Sequence, residues 1–343
     1  MKNVLHRSCS LIALALVSSC SSMQMSSAES VSHAPEAPLF FDVPVDLISE
    51  AGTEIYVPGD PDFLAVLDAN SAWIMNPSAR AMERVTVDGV AQSVPVPYPI
   101  ASPILGFDSL WTACGSRDGN TLYRIDPVSG AILAIIDVPI IGYESTLAVA
   151  GGKLWILSHR DGVLSSVDPA TNKLSAEIKV KPDSYGLTAG FGSVWVSNTG
   201  GWRSMEPGSV QRVDAKTGLV LTTIEVGPRP LFLSAGEGAV WVINQGDGTV
   251  SRIDPDTNRV AATIEVGVVG AGGDIDAGGG RVWVRASRVF LSVINPATNA
   301  VVKRFGPLAG SGGVRVGYGA VWVTAHDTKQ VWRLPLGPAS MGL

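Results

Sequence analysis

Between Leu39 and Pro338 apolar and polar residues alternate in short runs of roughly 4–8 positions, each closed by Gly, Asn, Asp or Pro. The unit from Pro230 to Gly267 reads PLFLSAGEG, AVWVINQGDG, TVSRIDPDTN and RVAATIEVG, four such runs in succession. No segment sustains a helical period. Near-copies of the second run recur as KLWILS at Lys153, SVWVSN at Ser193, RVWVRA at Arg281 and AVWVTA at Ala320. Their tryptophans belong to the series Trp73, Trp111, Trp155, Trp195, Trp241, Trp283 and Trp322. A recurrence about every 40 residues marks a propeller or solenoid. Four strands per unit and seven units predict an all-β chain folded as a seven-bladed β-propeller with four-stranded blades.

The third turn of each unit carries its own chemistry. It reads DPVSG at Asp126, DPATN at Asp168, DAKTG at Asp214, DPDTN at Asp254 and NPATN at Asn295. Asp or Asn opens it, Pro presets φ, and Gly or Asn closes it where a left-handed backbone is needed to enter the next strand. Each is therefore the hairpin joining the last two strands of a blade. The seventh unit stops after three strands at QVWRLPLGP, whereas LFFDVPV, Leu39 to Val45, resembles a fourth strand standing ahead of the first unit. The two are expected to share the last blade and close the ring. On a strand, Trp and the residue two later share one face, so the indoles are expected to fill the wedge between blades rather than form a ligand cage.

Ahead of the repeat, MKNVLHRSCSLIALALVSSCSS has a short basic start and an apolar core from Leu11 to Val17. That core is too short to span a bilayer and reads as an export signal. VSSC ending at Cys20 resembles a bacterial lipobox, which would lipidate Cys20; simple cleavage after Ala28 is the alternative. Residues 1–20 are thus read as leader, 21–38 as a Ser-, Ala- and Pro-rich tether, and 339–343 as a tail. With Cys9 and Cys20 in the leader, Cys114 is the single cysteine of the repeat region, so no intramolecular disulfide is available. The expected setting is periplasmic or outer-membrane-anchored, with membrane contact only through the lipid. The net charge of -6 and 16% charged residues give no basic footprint for nucleic acid. A monomer is expected.

Units of the form VWVxN…TVSRIDPxTNxVxxTIxVG resemble the YVTN-type bacterial β-propeller repeat proteins, and more distantly the seven-bladed streptogramin B (virginiamycin B) lyases, from Leu39 to Pro338. The lyase resemblance implies lactone opening by elimination, with histidines just before the innermost strand, a glutamate just after the tryptophan strand, and magnesium. Ten before each tryptophan this chain instead has Phe63, Ala101, Ser145, Tyr185, Leu231, Gly273 and Gly312. Three after it stand Asn76, Cys114, Ser158, Asn198, Asn244, Ala286 and Ala325. The resemblance thus carries the scaffold without that machinery, and a fold of this kind hosts many activities.

The copies differ where a ligand would sit. Candidate channel-facing residues, seven before each tryptophan, are Val66, Ile104, Ala148, Thr188, Ser234, Asp276 and Arg315, so polarity gathers in blades four to seven. Asp276 and Arg315 are expected to pair across neighbouring blades, with Asp274 nearer the mouth, as a solvated ion pair or as the anchor of a polar ligand. In the second case Arg315 or Arg285 would grip a carboxylate. Arg285, two after Trp283 on an inter-blade face, needs a partner, and Asp274 or Asp276 is the expected one. His159 and His326, four after their tryptophans, are candidate general acids or bases; on blades three and seven they stand too far apart to share a metal. The longer loop Ser197 to Val210 adds Trp202 and Arg203 to the same face, which Arg229 and Gln245 complete. No motif names a cofactor: a divalent metal finds no ligand signature here. The sequence supports a binding propeller for a small-molecule or peptide-like ligand, or a lyase or hydrolase of a lactone- or ester-like substrate in which His326 or His159 moves the proton and Arg285 or Arg315 stabilises negative charge.

Overall fold

A computed structural model describes residues 43–337 except 117–118, 141–143, 145, 160, 202–203, 268–272, 287–288 and 308–309; the side chains of 116, 119 and 159 are also outside the description. The described residues belong to one compact unit, Phe41–Leu343. It is a seven-bladed propeller of antiparallel four-stranded blades.

Blade five shows how the residues build the unit. Pro230–Gly236, Ala239–Asn244, Thr249–Asp254 and Arg259–Glu265 pair in order from axis to rim. The second strand is buried at every position because neighbouring blades cover both its faces, and so it reads as an unbroken apolar run. The outer strand alternates, burying Ile264 and exposing Glu265. Innermost strands touch in a closed circuit, with Leu64–Asp68 of blade one meeting both Ile104–Gly106 of blade two and Val314–Gly317 of blade seven.

All seven repeat tryptophans are wholly buried, as the wedge-filling role requires. Five of them, from Trp111 to Trp283, donate Nε1–H to the carbonyl five residues earlier in the same blade. The DPxTN-type turns behave as their chemistry demands: Asn172, Asn258 and Asn299 have φ near +55°, and Gly130 and Gly218 about +75°.

A second repeated feature lies outside the core. Arg124, Arg212 and Arg252 stand opposite the tryptophan of their own blade and stack on its ring. Each then donates to a proline carbonyl and to the asparagine closing the next blade's turn. This clasp joins blades two to three, four to five and five to six. At the corresponding place blades three and six have Ser166 and Val293.

Closure uses an N-terminal strand, as expected, but a different one. Thr53–Tyr56 pairs antiparallel with Gln330–Pro335 and completes blade seven. Val45–Leu47 runs parallel to Ala300–Gly306 as a fifth strand of blade six, and residues 39–42 lie outside the description. Only a short connection separates Thr53–Tyr56 from blade one, so it reaches the rim of the adjoining blade, whereas Val45 is taken up by Arg304 of blade six. Between the two strands a single helical turn, Ile48–Ala51, buries Ile48 among Trp283, Phe290 and Leu334. Sequence periodicity gave no warning of this turn, because four residues cannot display a helical period.

Candidate functional site

Each innermost strand begins beside the end of its blade's tryptophan strand: Gly273 pairs with Ala286, and Pro230 with Asn244. Both loops therefore open on one face, around the axis.

Six of the seven positions proposed to face the channel lie opposite their tryptophans, including Thr188, Ser234, Asp276 and Arg315. Blade one differs: Ala65, not Val66, faces Trp73, because the register shifts ahead of the turn at Asp68. An axial cavity of about 240 Å³ is lined at this level by Ile104, Thr188, Ser234, Asp276 and Arg315. Two residues nearer the mouth it is lined by Ser102, Thr146, Phe232 and Asp274. Of these, Ser102, Thr146 and Phe232 were not identified from the sequence. The signal was present, since residues two apart on a strand share a face.

Three predicted residues come together in this cavity. Arg315 Nη1 donates to Asp274 Oδ2 and to the Val314 carbonyl, while Nη2 reaches Ser102 Oγ of blade two at 3.0 Å. The ion pair is thus with Asp274 rather than Asp276. Asp276 accepts from Ser234 Oγ and from the Val316 amide, each at 2.8 Å. Desolvation pushes both carboxyls above the usual carboxylate range, outweighing Arg315 and the backbone amides. Against its own desolvation, the two carboxylates hold the Arg315 guanidinium charged.

Arg285 lies elsewhere. It is 0% exposed and turns into the joint between blades six and seven, donating to the carbonyls of Thr324, Ala286 and Phe290 and stacking on the Phe290 ring at 4.4 Å. The expected pairing with Asp274 or Asp276 is replaced by these carbonyls and by the fields of Asp62 and Asp327. Burial brings its pKa down to about 9, with those two carboxylates acting in the opposite sense. Asp62, 6% exposed at the top of blade one, is a charged residue that sequence reasoning missed.

His326 opens a 3₁₀ turn, His326–Thr328, at the end of the blade-seven tryptophan strand, with its side chain 29% exposed and Nδ1 2.5 Å from Asp327 Oδ1. It does not line the cavity. Gln245 and Arg229 meet at the top of blade five, where the Gln245 amide donates to the Arg229 carbonyl. They too lie apart from the cavity lining. The His159 side chain, Trp202, Arg203 and Cys20 lie outside the described residues. Among the described residues no cluster of His, Cys, Asp and Glu could hold a metal ion.

Aromatic rings cover the mouth. Phe63 of blade one meets Phe232 of blade five with centroids 5.4 Å apart, and Tyr185 of blade four packs edge-on to Phe232 at 5.6 Å. Tyr185 Oη donates to Glu144 Oε2 at 2.6 Å. Phe63 and Tyr185 occupy positions ten before their tryptophans.

No protein-family model matches the chain, and no curated protein matches it. Solved structures do. Virginiamycin B lyase from Staphylococcus aureus superposes with a TM-score of 0.68 at 17% identity, covering 83% of this chain and 99% of that one. A streptogramin B lyase structure gives 0.66 at 15% identity, covering 83% and 97%. A catalytically inactive variant of the Staphylococcus aureus enzyme with quinupristin gives 0.69 at 15%, covering 83% and 99%. The YVTN-type likeness rests on the repeat sequence alone. The architecture of this chain is therefore that of the streptogramin B lyases, with Phe63 and Tyr185 among the residues standing where the resemblance places histidines.

Proposed function

We propose that the chain is an extracytoplasmic binding propeller that takes a small molecule, or one end of a peptide-like ligand, into the axial cavity at the face where the innermost strands begin. The observation that carries this reading is Arg315 bridging Asp274 of blade six and Ser102 of blade two inside a cavity of about 240 Å³. Buried polar groups from several blades converge there, and such convergence is the usual mark of a ligand site. The volume lies below the ~300–1,000 Å³ of drug-sized ligands, which favours a small ligand or a single end group. A thermal-shift screen of the purified chain against metabolites and short peptides tests the reading, repeated on Thr188→Trp, which fills the cavity. Hits confined to the unfilled protein support it; hits that survive the filling place binding elsewhere.

A lyase or hydrolase is the second reading, favoured by one contact: Asp327 holds the Nδ1 side of His326 and leaves the partly exposed ring with Nε2 for proton transfer. His326→Gln should then abolish turnover of any lactone or ester the protein opens, and full retained activity would remove His326 from the chemistry. For the location, the intact mass of the exported protein separates a lipid-modified Cys20 from cleavage after Ala28.

A further inference from the structure

With both of its carboxyls ionised, the cavity's charge is not balanced. Its described lining carries two carboxylates, Asp274 and Asp276, against the single guanidinium of Arg315. Arg285 does not close the gap, because its guanidinium is committed to the blade-six to blade-seven joint and sits in the fields of Asp62 and Asp327. At the mouth Glu144 adds a further acid beside Tyr185. A buried excess of one negative charge is costly unless a proton or a cation supplies the balance.

Hydrogen bonding points in the same direction. Asp276 accepts from Ser234 Oγ and from the Val316 amide, with the Ala277 amide beside it as a third donor, whereas a carboxylate offers about four acceptor sites. Ser102 accepts from Arg315, and Thr146 Oγ1 accepts from the Leu187 amide; as hydroxyls both keep a further lone pair. On the donor side, Arg315 Nη1 is already spent on Asp274 and the Val314 carbonyl. An arriving carboxylate would meet two carboxylates and few open donors, contrary to the anion grip expected from the sequence. An ammonium would meet acceptors around it.

Resting on the binding reading above, we infer that the axial cavity selects a small cationic ligand, a primary ammonium or the amine end of a larger molecule, with Asp276 as its counter-charge. Asp274 takes the direct hydrogen bond of Arg315, and Asp276, in the field of the same guanidinium but not bonded to it, is the carboxylate that faces the ligand.

The test uses n-butylammonium with 1-butanol and butyrate as neutral and anionic counterparts, titrated calorimetrically into the purified protein at matched ionic strength. Expected are saturable binding of n-butylammonium at least tenfold tighter than of either counterpart, a loss of at least tenfold in near-isosteric Asp276→Asn, a similar loss in Ser234→Val, and no binding to Thr188→Trp. Equal or tighter binding of butyrate or 1-butanol that Thr188→Trp removes would overturn the cation preference and leave the cavity as the binding site. Unchanged n-butylammonium affinity in Asp276→Asn would remove the counter-charge role. Failure of all three compounds, or binding that survives Thr188→Trp, would overturn the cavity reading together with the cation preference.

Discussion

Arg252 lies over the Trp241 ring with Cζ 5.3 Å from its centroid, and its Nη1 donates to Asn299 Oδ1 of the next blade at 2.8 Å. One side chain thus shields the indole of its own blade and holds the turn of its neighbour. The asparagine is already required there by its left-handed φ, so turn chemistry and inter-blade contact fall on the same residue.

Loss of such a clasp should be measurable. Arg212→Met and Arg252→Met each remove charge-assisted hydrogen bonds and a cation–π contact, and each should cost about 1–3 kcal/mol in urea unfolding. Arg84, whose one hydrogen bond across its joint among the described residues is a 3.4 Å bond to the Val128 carbonyl, should lose less in the same substitution. Equal losses at all three positions would show that stem packing, not the clasp, is what counts.

Trp322 is the exception among the seven repeat indoles, because its buried Nε1 has no acceptor among the described residues, whereas Trp241 Nε1 donates to the Gly236 carbonyl at 3.0 Å. Replacement by Phe removes similar volume at both positions but breaks a hydrogen bond only in Trp241→Phe. That variant should be the less stable by about 1 kcal/mol, read from paired denaturation curves.

The raised carboxyls give a signed pH effect. Because Asp276 holds its proton to higher pH in the folded chain than in the unfolded one, folding stability declines as pH climbs from the ordinary carboxylate region, about 3.9, through the raised folded value. Asp276→Asn should therefore gain on the wild type as pH rises across that window. The turn residues Asp126, Asp214 and Asp254 act in the opposite sense: backbone amides of their own turns lower them, and their contribution is lost as pH falls below the ordinary range. Both proteins share these three, so they cancel in the difference. A variant curve parallel to the wild type would contradict the assignment.

Cys114 is buried and its thiol is pushed up to about 12 by desolvation. A thiol reagent at pH 8 should leave it unmodified in the native protein and label one additional cysteine per chain in denaturant.

Much of this architecture was legible from the residues. The tryptophan period fixed the blade count, and Asp–Pro followed by Asn or Gly fixed the outer hairpins, because both signals are local and repeat. The clasp was missed although its arginine stands in the runs YRID, QRVD and SRID, since its meaning depends on a turn about 45 residues away across a joint. The aromatic cover was missed for a related reason: Phe63 and Phe232 meet only because the ring brings blades one and five together. Closure was foreseen in kind but assigned to Leu39 to Val45, because TEIY at Thr53 is too short to stand out from its surroundings. Within the cavity lining, Asp274, Asp276 and Arg315 were legible as departures from an apolar repeat, while Ser102 and Thr146 resembled ordinary loop residues.

Thr53–Tyr56 pairs with Gln330–Pro335, and 276 positions separate Glu54 from Gln330 along the chain. The circle therefore cannot shut until every blade between these two strands has been made, and until then blade one has no neighbour on that side. Contacts so distant along the chain make the final step slow. During that interval the unpaired borders of the first and last sheets are where an incomplete molecule would stick to another.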